Sequence, residues 1–341
     1  MNPTSPKTPT PQPKTVSLVE EILSTLKEIP NKGSFLLLLL PWFALFHFLG
    51  NSTFGYMDTP SLFEWTWGAY NVANSEDGHG NLIPFVVLAL LWLKRDKIRS
   101  VSGGQWAPAL VLVGLGLTLH GIGYIIQQPR LSIVAFFLGL YGLAGQIWGL
   151  ALMKAILFPF VLFAFSVPLG SLADNITVPL RMVVSQLAVG ISHWVLGIDV
   201  IREGSQIFDT HHTFRYDVAP ACSGIRSLIS LVVLSTIYGA LTFRTIWKRW
   251  LIVGLAIPFA VAGNVLRIMG VIVAAEAFGQ NAGEVVEQKL GFLTFALAIG
   301  LMLLSSRILR DPDPSLAAPP GGKGQSLGKQ TNHEQSAPET A

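Results

Sequence analysis

Apolar residues run through this chain in long blocks separated by short polar or basic stretches. The blocks predict helical segments at about 34–50, 81–93, 106–126, 131–152, 155–170, 225–243, 250–273 and 290–306. Residues 100–173 contain only two charged residues, Arg130 and Lys154, which no water-soluble fold requires. Most blocks are long enough to cross a hydrocarbon core of about 30 Å. Inside a bilayer the backbone must satisfy its own hydrogen bonds, so the segments are expected to be helices. The pattern predicts an all-α polytopic membrane protein with about eight transmembrane helices.

One block has a different period. In 176–196 the apolar residues Ile176, Leu180, Val183, Val184, Leu187, Ile191, Trp194 and Val195 recur every three to four positions, with Arg181, Ser185 and Ser192 on another face. That spacing predicts an amphipathic helix on the outer face, lying in the interface or packed on the bundle. A ninth crossing is the alternative, and it would reverse the charge pattern downstream. Residues 199–220 mix polar and β-branched types and predict a short extramembrane hairpin.

Composition sharpens the class. Of 341 residues 51% are hydrophobic and 13% charged, against about a quarter charged in soluble domains, and mean hydropathy is +0.52. A soluble enzyme is excluded. The net charge of +3 is scattered around the segments and points to no nucleic-acid partner. Residues 1–33 and 311–341, rich in Pro with Thr and Lys or Gly, Ser and Gln, are expected to be disordered tails flanking a membrane domain over 34–310. Orientation follows from short-loop Lys and Arg. Lys94, Arg95, Lys97 and Arg99, then Arg244, Lys248 and Arg249, then Arg307 and Arg310 mark one side, while 51–80 holds Asp58, Glu64, Glu76 and Asp77 and no basic residue. Both termini are therefore expected in the cytoplasm, with Arg130 the one residue against the pattern.

The single cysteine, Cys222, excludes an internal disulfide or a multi-cysteine metal site. It stands in Ala221-Cys222-Ser223-Gly224-Ile225-Arg226-Ser227, where the outer hairpin enters the sixth segment. A cysteine at a helix start meets unpaired N–H groups that favour thiolate, and Arg226, four residues on, shares its face. The Ser223 and Gly224 amides are placed to support an oxyanion. Arg226 alternatively anchors the helix end in headgroups. Arg267, in Gly263-Asn264-Val265-Leu266-Arg267, lies inside an apolar segment about 25 Å from its basic end, level with Cys222. An intramembrane Arg marks a functional site, or else locks the bundle through a carbonyl or Asn264.

These residues resemble the exosortase/archaeosortase family. The resemblance rests on Ala221-Cys222-Ser223-Gly224-Ile225-Arg226-Ser227-Leu228, on Asn264-Val265-Leu266-Arg267 about forty residues later, and on His79-Gly80-Asn81-Leu82-Ile83-Pro84. The proline-bearing 158–168 segment also fits, and the likeness covers roughly 75–310. It implies a membrane cysteine protease or transpeptidase of the inner membrane. Its expected partners are exported proteins ending in a short motif, a transmembrane helix and a basic cluster, together with membrane lipids. No cofactor and no metal is expected. The nucleophile maps onto Cys222 and the catalytic arginine onto Arg267, with Ser223, Gly224, Arg226 and Asn264 in support. The family's third residue is a His or an Arg, but here Glu287 stands at that position in a loop expected over 274–289, which contains no His. Glu287 and His79 are the two candidates for proton transfer. Adjacent His211 and His212 are a weak metal pair. A non-catalytic scaffold or a transporter using the same groove is the rival function.

Overall fold

The computed structural model describes residues 17–72, 75–100, 104–204, 206–210, 215–217 and 225–310. Its helices, in chain order, are α1 (Leu18–Glu28), α2 (Lys32–Phe48), α3 (Leu62–Asn71), α4 (Ile83–Leu93), α5 (Arg95–Arg99), α6 (Leu110–Ile125), α7 (Pro129–Val161), α8 (Asp174–Ile191), α9 (Ile225–Thr242), α10 (Ile246–Phe278) and α11 (Gln280–Ile308). Among the described residues, four helical stretches are long and apolar enough to cross a membrane: Ala107–Ile125, Pro129–Ser166, Ile246–Phe278 and Gln280–Ile308. The apolar helices Lys32–Phe48, Ile83–Leu93 and Ser227–Thr242 are shorter. All eight expected segments fall on these seven stretches, because one of them is folded in two.

That folded stretch is α7. Gly149 leaves the helical region at φ 82°, ψ 177° and splits the helix into arms over 129–148 and 150–161. The Phe137 ring stacks on Phe163 with centroids 4.0 Å apart, and the Tyr141 hydroxyl donates to the Met153 carbonyl at 2.7 Å. Residues 137 and 163 would be about 39 Å apart in one straight helix. The arms therefore run antiparallel, and the expected break at 153–154 moves to Gly149.

Three further expectations are corrected. The tail expected over 1–33 carries α1, started by a reciprocal Ser17–Glu20 capping box. A helix this short is marginal alone; Glu21 and Glu28 tie it to Arg95 (2.9 Å) and Arg99 (3.3 Å) of the basic stretch after α4. The loop expected over 274–289 is helical, since α10 runs to Phe278 and α11 starts at Gln280 after a turn at Gly279. Polar residues there end the apolar run without ending the helix. The expected hairpin is a three-stranded antiparallel sheet of β1 (Val200–Glu203), β2 (Gln206–Asp209) and β3 (Arg215–Asp217). The amphipathic helix expected over 176–196 forms as α8. Val184, Ser185, Ala188 and Ser192 are buried, while Val183, Leu187 and Trp194 point outward. Small side chains on that inner face let α8 pack closely on Val265, Ile268 and Ile272 of α10.

The site is framed by α4, α9, α10 and α11. Leu231 of α9 packs with Ile252, Ala256 and Ala260 of α10 and with Ala298 and Met302 of α11. Val233 of α9 packs with Ile83, Val87 and Leu90 of α4 and with Leu162. Burial, then the charges of Lys97 and Arg249, lower the pKa of Lys94 from the usual ammonium range. Lys94 caps the end of α4 and Arg249 lies just past the end of α9, so the two helices run parallel and share one starting end.

Candidate active site

A cavity of about 370 Å³ opens between α9, α10 and α11. Ser227, Ser230 and Leu231 line it from α9, Ala260, Gly263, Asn264 and Arg267 from α10, and Gly291, Phe292, Thr294, Phe295 and Ala298 from α11. Helical periodicity builds these walls: 260, 263, 264 and 267 fall on one face of α10, as 291, 294, 295 and 298 do on α11. The volume lies in the range of small-ligand sites, about 300–1,000 Å³.

Arg267 is half-buried in this cavity. Its Nε donates to the Glu287 carbonyl at 3.2 Å, and a Cβ added at Gly291 would lie 3.5 Å from its guanidinium carbon. The guanidinium thus lies across the bare backbone of Gly291, one turn after Glu287. This gives the spacing of 287 and 291 a physical reason, since both positions face Arg267. Glu287 lies on α11 rather than in a loop, and its side chain is half-buried. Asn264, one turn before Arg267, is 5% exposed, and its Nδ2 has no hydrogen-bond partner among the described residues.

His79 sits in the 3-10 turn Gly78–Asn81, which packs against α9. Its Nδ1 lies 3.3 Å from the Glu76 carbonyl. A carbonyl only accepts, so Nδ1 is the donor, and in the neutral ring Nε2 carries the lone pair. The turn is anchored by a buried carboxylate that the motif reading passed over. Asp77 accepts from the Leu169 and Gly170 amides at 2.9 and 3.0 Å, and Arg130 donates from Nε to the neighbouring Pro168 carbonyl at 2.7 Å. The outlying charge of Arg130 therefore has a structural task. The Tyr70 hydroxyl donates to the Ser166 carbonyl, and burial pushes its phenol far above the usual range, so it stays a donor.

The structure thus gathers Arg267, Asn264, Gly291 and the backbone of Glu287 around one cavity, with the His79 turn at the same end of the bundle. Cys222, Ser223 and Gly224 lie outside the described residues, as do His211 and His212. For Arg226 only the backbone, in the first turn of α9, is described. Of the other histidines, His47 pairs with Ser61, His120 with Ser132 and His193 with Asp199. No group of three metal-ligating side chains occurs among the described residues. Thr294 and Phe295 were missed from sequence, although their spacing of three and four from Gly291 puts them on its face.

No curated protein and no solved structure matches the chain. A family model described as transmembrane exosortase matches residues 67–304, a span that holds the whole cavity, the His79 turn and the cysteine motif. By that match the chain belongs to the transmembrane exosortase family.

Proposed function

We propose that this protein is a membrane cysteine protease or transpeptidase that cleaves C-terminal sorting signals of exported proteins at the outer face of the inner membrane. The observation that carries the reading is Arg267. A family match brings the expectation of a thiol-dependent activity, and an intramembrane arginine lines a cavity at the start of α9, the helix that follows Cys222. Three peptide units separate Cys222 from Ile225, a reach of at most about 11 Å. In this reading the nucleophile acts at the end of the bundle where α9 begins.

In this mechanism the Cys222 thiolate attacks the substrate carbonyl carbon, and the carbonyl oxygen takes the negative charge. Arg267 stabilises that oxyanion, with the Ser223 and Gly224 amides assisting. The C–N bond breaks, the amine leaves with a proton, and a thioester remains on Cys222. Water or an acceptor nucleophile then attacks the thioester and restores the thiol. His79 is our choice for the proton carrier, because its Nε2 lone pair is left by the Nδ1 contact and its turn packs on α9. Glu287 holds Arg267 through its main chain.

The test is maturation in cells of a co-expressed reporter ending in a C-terminal sorting signal from the same genome. Wild type should shorten the reporter, and Cys222→Ala should not. Full processing by Cys222→Ala would overturn the thiol mechanism. Processing by neither would favour a scaffold that keeps the groove.

A further inference from the structure

The basic residues that follow α4 divide by partner. Arg95 and Arg99 meet acids of α1, Glu21 at 2.9 Å and Glu28 at 3.3 Å. For Lys94, Lys97 and Arg249, by contrast, no carboxylate among the described residues forms an ion pair, Asp96 included. The fold nevertheless draws these three cations together. Leu90 of α4 packs with Val233 of α9, which carries Lys94, one turn after Leu90, toward the end of α9. Arg249 lies across that same end, since a Cβ added at Gly239 would come 3.5 Å from the Arg249 Cα. Its Nε donates to the Phe243 carbonyl at 2.8 Å, which leaves its two terminal nitrogens to other partners. The Lys94 ammonium stands 5.5 Å from the centre of the Phe158 ring, and burial with the charges of Lys97 and Arg249 lowers its pKa.

Like charges gathered without an acid repel one another, and the more so when half-buried. An anion held between them removes that cost. The surroundings indicate which anion. Leu93 and Leu241 expose apolar side chains beside the cluster, and Trp247 and Trp250 stand exposed in the first turns of α10. Exposed tryptophans at the end of an apolar helix mark the membrane–water interface. A phospholipid carries its phosphate at that level and its acyl chains below it. Its headgroup decides the rest, because a choline or ethanolamine cation would be pushed away by three positive side chains. We propose that Lys94, Lys97 and Arg249 form a binding site for the phosphodiester of an anionic phospholipid, whose acyl chains run along Leu93 and Leu241. Arg249 and Arg267 are about 27 Å apart along α10, so this site is separate from the cavity and does not depend on the peptidase reading.

The test uses the full-length protein in a neutral detergent and reads the rise in melting temperature as lipid is titrated in. Phosphatidylglycerol should raise it. Phosphatidylcholine with the same acyl chains should do so far less, and inorganic phosphate at the same concentration should not. Lys94→Gln together with Lys97→Gln should weaken phosphatidylglycerol binding about thirtyfold, as the loss of two interfacial charges requires. Arg249→Lys keeps the charge and loses the Nε bond, so it should keep most of the binding even where its own melting temperature falls. Arg307→Gln removes an exposed cation near the end of α11 and should leave binding unchanged. As large a loss in Arg307→Gln as in the double lysine variant would mean diffuse charge attraction and overturn the site. So would no rise with phosphatidylglycerol, or equal rises with the two lipids. A rise with inorganic phosphate equal to that with phosphatidylglycerol would assign the cluster to a soluble phosphate and overturn the lipid.

Discussion

The Nε of Arg267 donates to the main-chain carbonyl of Glu287 at 3.2 Å, so one turn of α11 fixes the direction of an arginine on α10. That bond does not depend on the side chain at 287. Replacing Glu287 with Gln should therefore leave Arg267 in place, and reporter processing should stay within about tenfold of wild type, well short of the 10²–10⁴ carried by a general acid or base. Arg267→Ala should abolish processing. Arg267→Lys should do nearly the same, because an ammonium has neither the Nε donor nor the planar fork that lies across Gly291. Immunoblots of the reporter in the three backgrounds decide this, and an inactive Glu287→Gln would reassign the proton carrier.

His79 gives the complementary prediction. Its Nδ1 contact with the Glu76 carbonyl sets the tautomer that leaves Nε2 free to accept. Removing the ring in His79→Gln should slow processing by about 10²–10⁴ without lowering the melting temperature. Processing of the reporter by His79→Gln at the wild-type rate would return the step to Glu287.

Much of this arrangement was legible in the sequence, and the gaps have physical causes. The apolar blocks predicted helices because backbone satisfaction in a bilayer leaves little choice. Arg267 announced itself because a charge inside an apolar run is expensive. Helix ends were less visible. Residues 280–289 are polar yet helical, and hydropathy alone cannot separate a loop from a helix that leaves the apolar layer. Which side of α8 turns inward was not legible either: Val184, Ser185, Ala188 and Ser192 are buried while Leu187 faces out, because the inner side of a membrane protein favours small residues over large apolar ones. The Asp77 and Arg130 clamps join turns roughly ninety and forty residues apart, a pairing that no local spacing encodes.

Gly80, in the His-Gly motif, has a packing reason. A Cβ there would come within 2.4 Å of the Tyr70 ring, and the Tyr70 hydroxyl is tied to the Ser166 carbonyl. The ring cannot swing away without losing that bond. Gly80→Ala should cost about 1–3 kcal/mol, as overpacking does. Combining it with Tyr70→Leu should recover part of the loss, since neighbouring substitutions are not additive. Thermal melts of the two single variants and the double variant in detergent measure the coupling, and strict additivity would show that the contact is not the cause.

Gly149 carries the sharpest test of the folded α7. Its φ of 82° and ψ of 177° belong to a region that is essentially reserved for glycine. A Cβ at this position would also lie 2.2 Å from the Gly104 carbonyl oxygen. Strain and clash together should make Gly149→Ala costly, by about 3 kcal/mol or more. Gly114, in α6, has open space where a Cβ would go, so Gly114→Ala should be neutral or slightly stabilising. The geometry can be read directly in a Cys222→Ala background with cysteines placed at Phe137 and Phe163, whose rings stack at 4.0 Å. Antiparallel arms bring the pair into crosslinking range, and Gly149→Ala should reduce the crosslink along with the melting temperature. A continuous helix through 149 would leave the two thiols about 39 Å apart and give no crosslink in either protein.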